Sequence, residues 1–436
     1  MKYYCIGIKG TGMATLAQIL HDLGNDVSGY DDYKDYKFTE DGLNERNIKI
    51  YYDGNHLIDK DTIVTYSKAF NAMHPEIIRI KNLGLRIIDY DILLGNISKE
   101  FKTIGVSGTH GKTTTSTMIS HILKNTTGCN YFIGDGTGFA SLNNNLFVLE
   151  SCEYKKNFLS YNPYYAIVTN IELEHTECYK DINEIIKTFE EFSNKANLVI
   201  ACGDDLNVRK MKLDNRVIYY GFNDDNDVVA KNIVLSKKGS TFDVYIDKGF
   251  YGHFNLPIYG KHMILNALAS IAVCKEEMVR KESIQDLLGS FKNAKRRFKE
   301  SICGDIVIID DYAHHPTEIR VTLESARQKY PNKELVAVFL PNTYSRTKAL
   351  LEDFIEVLKL ADKTYVMDIH CDREKSEDFG NVSSDMIIEK IDGAEKISIE
   401  TVDKLLSYKD AVICFMSCAN IYEIIDVYKK KIENNN

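Results

Sequence analysis

A glycine-rich run between a predicted strand and a predicted helix is the strongest chemical signal in this 436-residue sequence. Its residues are Gly108, Thr109, His110, Gly111, Lys112, Thr113 and Thr114. Such a turn points backbone N–H groups at an anion, and the helix dipole favours negative charge there. Lys112 adds a cation for nucleotide phosphates, and Thr113 offers a hydroxyl to Mg²⁺. The strict P-loop spacing would require glycine where Val106 stands, so the run predicts a variant ATP-binding loop.

A second glycine turn, Gly7 to Gly12, also follows a strand-like run and precedes a helical one. A bare tight turn explains this pattern as well as a nucleotide site does. Asp31 ends the next predicted strand, where a ribose or base contact falls in nucleotide-binding α/β folds. The turn therefore indicates either a pyrophosphate site or a structural turn, and an oxidoreductase remains open at this point.

Acidic and histidine side chains follow two strands near the phosphate loop. Glu150 and Glu153 come just after the strand that ends at Leu149, and His175 follows a strand that ends at Thr169. Carboxylates at the carboxyl edge of a parallel sheet lie where α/β sites form, and Mg²⁺ prefers such oxygen ligands. The alternative is that they are solvated surface groups. Two such sites beside one phosphate loop favour a metal site.

The last third of the chain contains two further polar runs at strand ends. The run Asp310 to Glu318 follows a buried strand, and Pro316 within it begins a helix. Arg346 occupies a similar place after the next strand, where an arginine can pair with a carboxylate or phosphate, although an exposed helix cap is the simpler alternative. Arg296 and Arg297 are equally well explained as a solvated hinge.

Positioning these residues requires several parallel sheets. Short β-rich apolar runs alternate with amphipathic helical stretches, which is typical of α/β proteins. We predict three consecutive domains. They are a Rossmann-like domain over 1–96, a P-loop ATPase-like central domain over 97–295 and a Rossmann-like domain over 296–436. The central sheet is expected to be mostly parallel, with a small antiparallel sheet near Val228 to Tyr259.

Composition narrows the function class. The net charge of −9 argues against a nucleic-acid partner, and no apolar run reaches the roughly 18 residues of a membrane helix. The N-terminal residues lack the pattern of a signal peptide. The ten cysteines are scattered without a CxxC pair, as expected for small buried residues in a reducing compartment. We therefore expect a cytoplasmic protein without a membrane partner.

Taken together, a series of short runs resembles the Mur ligases of peptidoglycan synthesis, in order over nearly the whole chain. The runs are GIKGTGM at 7–13, GTHGKT at 108–113, ESCEY at 150–154, TNI at 169–171, GKHMILNA at 260–267, KRRF at 295–298, DDYAHHPTE at 310–318 and TYSRT at 343–347.

The resemblance implies an ATP- and Mg²⁺-dependent ligase that joins L-alanine to the carboxylate of UDP-N-acetylmuramate through an acyl phosphate, in cell-wall synthesis and hence cell shape and division. It implies a monomer or homodimer with a UDP-sugar domain, an ATPase domain and an amino-acid domain.

The resemblance also implies roles for individual residues. The ATP-binding residues would be Gly108, Thr109, His110, Gly111, Lys112, Thr113, Thr114, His262, Asn266 and Asp311. The metal ligands would be Thr113, Glu153 and His175, and the UDP-sugar contacts would be Gly10, Thr11, Gly12 and Asp31. The catalytic residues would be Lys112, His175, Arg297 (or its neighbour Arg296), His314 and Arg346. Arg346 would pair with the alanine carboxylate, and His314 is a hypothetical proton acceptor for the amine.

The sequence departs from the family's pattern in three places. Asn342 stands where histidine is usual, and Ser417 to Asn420 replace a GAGD-like run. Around His175 the usual aspartates are glutamates. Three alternatives follow: a related amide ligase such as a murein peptide ligase or folylpolyglutamate synthetase, a non-catalytic nucleotide-binding regulator, or a dinucleotide oxidoreductase. The last leaves the phosphate loop unexplained.

Overall fold

The structure is a computed structural model that describes residues 1–175, 178–293, 297–371 and 374–435, without the side chain of residue 435. The chain divides into two compact units. The first contains Met1–Ile233, Phe242–Asn255 and Ile264–Phe291, and the second contains Val234–Thr241, Leu256–Met263 and Lys292–Asn436.

The first unit begins with a five-stranded parallel sheet in the order β3-β2-β1-β4-β5 among the described residues. Its elements are β1 Lys2–Ile6, α1 Thr11–Asp22, β2 Asp26–Tyr30, α2 Glu40–Asn44, β3 Lys49–Tyr51, β4 Ile63–Tyr66, α3 Pro75–Asn82, β5 Arg86–Ile87 and α4 Tyr90–Lys99. The strand order is that of a doubly wound fold, in which the chain reverses direction across the sheet next to β1. The turn after β1 therefore lies at the switch point, where such folds bind ligands.

A ten-stranded sheet follows, in the order β15-β14-β13-β12-β11-β10-β6-β9-β7-β8 over the described residues. Its strands are β6 Lys102–Ser107, β7 Asn130–Ile133, β8 Thr137–Phe139, β9 Leu146–Glu150, β10 Tyr165–Val168, β11 Leu198–Cys202, β12 Arg216–Gly221, β13 Val228–Ser236, β14 Gly239–Ile246 and β15 Gly249–Leu256. The helices are α5 Lys112–Lys124, α6 Ile182–Ser193, α7 Lys261–Glu276 and α8 Lys281–Gly289, with 3₁₀ turns at Tyr154–Ser160 and Val208–Lys210.

The predicted antiparallel addition is present and continues the ten-stranded sheet instead of standing apart from it. Two-residue connections join β13 to β14 and β14 to β15, so these neighbouring strands form hairpins. The first of them pairs in parallel with β12.

The second unit contains a six-stranded sheet in the order β16-β17-β21-β18-β19-β20 within the described part of the chain. Its strands are β16 Lys299–Cys303, β17 Ile306–Asp311, β18 Glu334–Phe339, β19 Lys363–Val366, β20 Glu395–Lys396 and β21 Ala411–Met416. Its helices are α9 Pro316–Lys329, α10 Tyr344–Ala349, α11 Leu351–Leu358, α12 Asp385–Ile388 and α13 Tyr422–Asn435, with 3₁₀ turns at Ser376–Phe379 and Val402–Ser407. Only β16 is antiparallel to its neighbour among the pairings described.

The central strands are buried on both faces, which explains their continuous apolar runs. All six residues of β17 and of β21 are buried, and alternate residues enter two separate apolar cores on the two faces of the sheet. Each fully buried aliphatic side chain stabilises the fold by roughly 1.5–3 kcal/mol. The strand ends are thereby fixed, so the polar loops that follow them start from defined positions.

Side-chain contacts within the first unit hold α1 against the β7–β8 hairpin. Gln18 donates to the carbonyl oxygen of Gly136 at 2.8 Å, and Arg46 donates to that of Gly138 at 3.0 Å while pairing with Asp22 at 2.7 Å. These contacts bring the glycine turn after β1 towards the loops that follow the ten-stranded sheet. Among the described residues, no helix has the length and apolar character needed to cross a membrane.

Candidate active site

The phosphate loop lies between β6, in the middle of the ten-stranded sheet, and the N-terminus of α5. Gly108 has a φ of +139°, and a Cβ built on it would lie 1.9 Å from the Thr169 hydroxyl, so only glycine fits. Thr169 Oγ1 donates to the His110 carbonyl at 2.6 Å. The Asn170 side chain accepts from the His110 N–H at 2.8 Å and donates to its carbonyl at 3.0 Å. The TNI run therefore braces the loop.

Lys112 lies at the start of α5 with its amine enclosed by the loop. Its Nζ donates to the carbonyl oxygens of Gly108 and Thr109, the latter at 2.9 Å, and pairs with Glu153 Oε2 at 3.0 Å. Burial works against the charge, but Glu153 and the other acidic groups nearby outweigh it and raise the pKa of Lys112 above its usual value. The amine is therefore a permanent cation at the place predicted for the β- and γ-phosphates.

Glu150, the last residue of β9, and Glu153 have different partners. Glu150 accepts from the Thr113 hydroxyl at 2.8 Å and from the Gly134 N–H at 2.6 Å. Glu153, which was predicted to share a metal with Thr113, pairs with Lys112 and lies 3.7 Å from His175 Nε2. Glu150 was recognised as a strand-end acid but not predicted as a ligand, and the structure places it nearest to the Thr113 hydroxyl.

Glu153, Glu174 and His175 form a cluster that can hold a cation, because ligand atoms of all three lie within 4.8 Å of one another. The carboxylate oxygens of this cluster, like the Thr113 hydroxyl and Glu150, are the hard donors that Mg²⁺ prefers. The residues present therefore fit Mg²⁺, and Glu174 is a candidate ligand that the sequence interpretation did not select.

Three other residues predicted to bind ATP lie in the first unit. Thr109 and Thr114 belong to the loop run itself, and Asn266 lies beside it. Thr109 Oγ1 accepts from the Glu172 N–H at 2.8 Å. Asn266, on α7, comes so close to the loop that a Cβ on Gly111 would lie 2.9 Å from its Oδ1. Thr114 is buried in the first turn of α5, so it supports the helix from within.

The predicted UDP-sugar turn is the exposed N-terminus of α1. Gly10 is the N-cap, and Thr11 and Gly12 begin the helix. Asp31 is buried beneath the turn, where its carboxylate accepts from the Lys9 N–H at 2.9 Å and the Tyr33 N–H at 3.3 Å. In the structure, Asp31 therefore holds the turn and the loop after β2 in place.

In the second unit, His262 and Arg297 influence each other electrostatically. Partial burial of the imidazole, and secondarily the positive charge of Arg297, lower the pKa of His262 to about 4. The ring is therefore neutral at neutral pH, as the predicted contact with an adenine would need. The backbone before it is held by Gln328, whose Oε1 accepts from the Gly260 N–H at 2.9 Å. The alternative residue Arg296 lies outside the described residues.

Arg297, His314 and Glu318 lie together at the carboxyl end of β17. Glu318 Oε1 is 3.6 Å from Arg297, and Glu318 Oε2 is 3.1 Å from His314 Nδ1. The Tyr312 carbonyl is also 3.0 Å from that nitrogen. With two acceptors facing Nδ1, the neutral tautomer carries its proton there and leaves Nε2 as the acceptor. Sequence interpretation included Glu318 in the motif but assigned it no role.

Asp311, the predicted ATP ribose contact, is buried at the end of β17. Its two oxygens accept from the N–H groups of Phe298 and Ala313, at 2.7 and 2.8 Å. Burial raises the pKa of Asp311, although Arg297 acts against this shift. In the structure the carboxylate organises the loops around Arg297 and His314.

Arg346, predicted to pair with the amino-acid carboxylate, lies in the short helix α10. Glu374 holds the start of this helix, because its carboxylate accepts from the Ser345 N–H at 2.9 Å and the Ser345 hydroxyl at 2.7 Å. Thr343 precedes the helix with a φ of +68°, which is strained for a β-branched residue. Its N–H donates to the His370 carbonyl at 3.3 Å. No motif in the sequence points to Glu374.

The positions that depart from the family pattern have structural partners. Asn342 bridges to His370 and donates to its carbonyl at 3.3 Å. The Ser417 hydroxyl donates to the Leu340 carbonyl at 2.9 Å. The backbone N–H of Ser417 donates to the Asp311 carbonyl at 3.1 Å. These replacements therefore join the ends of the central strands in the second unit.

Three family models match the chain in succession. They are the Mur ligase family catalytic domain over residues 2–102, the Mur ligase middle domain over 106–274, and the Mur ligase glutamate ligase domain over 296–417.

Solved structures match over all or most of the chain. A UDP-N-acetylmuramate–alanine ligase, MurC, from Thermotoga maritima is 25% identical, covers 100% of both chains and superposes with a TM-score of 0.83. A murein peptide ligase from Psychrobacter arcticus is 22% identical, covers 100% of this chain and 99% of its own, and has a TM-score of 0.72. MurF from T. maritima, solved with ADP, is 18% identical over 87% of this chain and 96% of its own, with a TM-score of 0.69.

Proposed function

The chain belongs to the Mur ligase family, whose members are ATP-dependent ligases of peptidoglycan synthesis, and we propose that it joins L-alanine to the carboxylate of UDP-N-acetylmuramate. The observation that carries the proposal is the likeness to the alanine ligase of T. maritima over the full length of both chains, at 25% identity. The matched ranges 2–102, 106–274 and 296–417 support domain boundaries near residues 96 and 295.

The first step of the proposed reaction activates the sugar-linked carboxylate. A carboxylate is a poor electrophile, so its oxygen attacks the γ-phosphorus of ATP, ADP leaves, and an acyl phosphate forms. Lys112 is the cation that would stabilise the transferring phosphoryl group. Mg²⁺ bound by Thr113, Glu153 and His175, with Glu150 and Glu174 as additional oxygen donors, would neutralise charge on the phosphate oxygens.

The second step forms the amide. The alanine ammonium loses a proton, its nitrogen attacks the acyl carbon, and phosphate leaves from the tetrahedral intermediate. Nε2 of His314 would accept that proton, since Nδ1 already faces the Tyr312 carbonyl and Glu318. Arg346 would hold the alanine carboxylate in a charge-assisted pair.

A second candidate is a murein peptide ligase, which would use the same acyl-phosphate chemistry with a peptide as the amine. It is favoured only by the likeness to the P. arcticus enzyme, which at 22% identity shows the fold. The N-terminal glycine turn and the short segment after Arg346 favour a small amino acid. The two candidates differ in the amine, so the amine is the variable to test.

The test is phosphate release from ATP with UDP-N-acetylmuramate and Mg²⁺, with L-alanine, glycine, L-serine and the cell-wall tripeptide offered separately. We expect the highest kcat/KM with L-alanine, and a product whose mass equals that of the UDP-sugar plus alanine minus water. Turnover with the tripeptide alone would replace the proposal with the peptide ligase. Absence of turnover with every amine would favour a non-catalytic regulator.

Two lysine variants control this assay. Lys112→Met keeps the length of the side chain but removes its charge, and we expect phosphate release to fall by at least 100-fold. Lys124→Ala changes an exposed lysine in the last turn of the same helix and should leave the rate unchanged. A similar rate in both variants would show that the measured phosphate comes from a contaminating ATPase.

A further inference from the structure

Tyr90 is a tyrosine at the start of α4 whose hydroxyl has no described hydrogen-bond partner. Its ring is half-buried and packs against the apolar core that joins α1 to the ten-stranded sheet. Tyrosines of this kind usually pair with a protein group or with a ligand.

The Tyr90 hydroxyl lies directly over Gly12, in the predicted UDP-sugar turn. A Cβ built on Gly12 would lie 2.7 Å from the hydroxyl oxygen and 3.4 Å from the ring carbon that carries it. Since real Cβ atoms do not come within 3.0 Å of another heavy atom, any larger residue at position 12 would displace this hydroxyl. Glycine at this position therefore creates the space that the hydroxyl occupies.

The same side chain is also within electrostatic reach of residues at the end of β9. Burial raises the pKa of Tyr90 well above its usual range, and Cys152 and Glu150 add smaller effects in the same direction. The phenol therefore stays protonated and can donate a hydrogen bond at any physiological pH. Glu150 in turn accepts from the Thr113 hydroxyl of the phosphate loop at 2.8 Å. Tyr90 thus contacts the turn predicted to bind the UDP-sugar and lies within electrostatic reach of Glu150, which accepts from the phosphate loop.

We propose that Tyr90 is a substrate-binding residue that donates its hydroxyl to an oxygen of the UDP-sugar, on the diphosphate or on the sugar next to it. The ligand oxygen would supply the partner that the protein does not provide, and the contact would set the nucleotide-sugar between Gly12 and the phosphate loop. This inference rests on the proposed function, because that function supplies a UDP-sugar as the ligand.

The test is Tyr90→Phe, which removes one oxygen and keeps the ring packed against the core. We expect the KM for UDP-N-acetylmuramate to rise roughly tenfold, the worth of one hydrogen bond, with the KM for ATP, the KM for alanine and the Tm unchanged. Tyr164→Phe is the matched control, because Tyr164 precedes β10 at the amino end of the sheet, away from the loops. An unchanged KM for the UDP-sugar, or an equal rise in the KM for ATP, would overturn the proposal.

Direct binding separates this inference from the proposed function. The Kd of UDP and of UDP-N-acetylmuramate is measured by calorimetry for the wild type and Tyr90→Phe. Weaker binding of both ligands would place the contact on the diphosphate, and weaker binding of the UDP-sugar alone would place it on the sugar. Equal affinities in the two proteins would refute the role of Tyr90 even if alanine is the substrate. A wild type that binds the UDP-sugar but never releases phosphate would refute the proposed function alone.

A double-mutant cycle tests the geometry. Gly12→Ala places a methyl group against the Tyr90 hydroxyl, whereas in Gly12→Ala/Tyr90→Phe the nearest ring carbon is 3.4 Å away, an ordinary contact. We expect Gly12→Ala to weaken UDP-sugar binding less in the phenylalanine background than in the wild type. Equal losses in both backgrounds would show that the hydroxyl does not lie over the turn.

Discussion

At the scale of single residues, most predicted site residues have their chemical role set by one or two neighbours. Lys112 is a cation because Glu153 outweighs its burial, and His262 is neutral because partial burial and Arg297 disfavour its proton. In the same way, Glu318 and the Tyr312 carbonyl give His314 a defined tautomer. The functional state of each group therefore depends on neighbours that were predicted for another role, such as Glu153 and Arg297, or for none, such as Glu318.

His314 provides the prediction that belongs to this scale. We expect His314→Ala to lower kcat for amide formation by about 100- to 10,000-fold, because the attacking amine loses its proton acceptor. The KM for ATP should change little. The measurement is steady-state phosphate release with saturating alanine across pH 6–9, in which the variant should lose any ionisation that limits kcat in the wild type.

Two further variants test whether His314 acts as the proton acceptor. Glu318→Gln should reduce kcat by a smaller factor, since the Tyr312 carbonyl still faces Nδ1. His253→Ala, at an exposed position of β15, should have no effect. Full kcat with an unchanged pH profile in His314→Ala would exclude the proton-acceptor role.

At the scale of elements, the sequence predicted the strands well, because parallel strands buried on both faces are continuous apolar runs. The strand predicted to end at Leu149 became β9, which ends at Glu150, and the strand predicted to end at Thr169 became β10, which ends at Val168. The phosphate loop was equally visible, since its glycines and Lys112 are adjacent in sequence. The three-domain α/β architecture with mostly parallel sheets is confirmed.

Contacts between distant segments could not be predicted in the same way. Glu150 and Glu153 are three residues apart at the end of one strand. Which of them accepts from the Thr113 hydroxyl depends on how the chain turns at the end of β9. Tyr90 lies in α4, and its contact with Gly12 forms only because the fold places the start of α4 against the start of α1. Such contacts leave no periodicity in the sequence.

The helix α10 carries the prediction at this scale. Glu374→Gln removes a charged acceptor from the start of the helix, so Ser345 and the following Arg346 lose their anchor. We expect the KM for alanine to rise about 5- to 30-fold, corresponding to about 1–2 kcal/mol, while the KM for ATP stays constant. The measurement is initial rates with each substrate varied in turn.

Two further acidic variants show whether a rise in the KM for alanine comes from the lost charge of Glu374 or from a general loss of stability. Glu374→Asp keeps the charge on a shorter side chain and should recover part of the alanine affinity. Glu377→Gln changes an exposed acid in the same segment and should behave as the wild type. Equal changes in the KM values for alanine and ATP would contradict a role of Glu374 through Arg346.

At the scale of the whole molecule, the predicted site residues fall in both compact units. Lys112, Glu153, His175 and Asn266 belong to the first, whereas His262, Asp311, His314 and Arg346 belong to the second. The boundary between the units passes within α7, between His262 and Asn266. The two residues predicted for the adenine pocket are thus close in sequence but belong to different units. A variant of His262 therefore changes the second unit, and a variant of Asn266 changes the first.

His262 links the stability of the folded chain to pH. Its pKa is about 4 in the folded protein and about 6.5 when unfolded, so only the unfolded state takes up a proton between these values. The contribution of the neutral ring is therefore complete above about pH 6.5 and is lost as the pH falls towards 4. By pH 5 the loss amounts to about 2 kcal/mol, which lowers the Tm by several degrees.

The comparison that isolates this effect is wild type against His262→Asn, by thermal unfolding of the ligand-free protein at pH 7 and pH 5. Other groups with shifted pKa values, such as Asp311, are common to both proteins and cancel in the difference. We expect the wild type to lose several degrees more than the variant on acidification. Parallel losses in the wild type and His262→Asn would show that the imidazole is not held neutral by its surroundings.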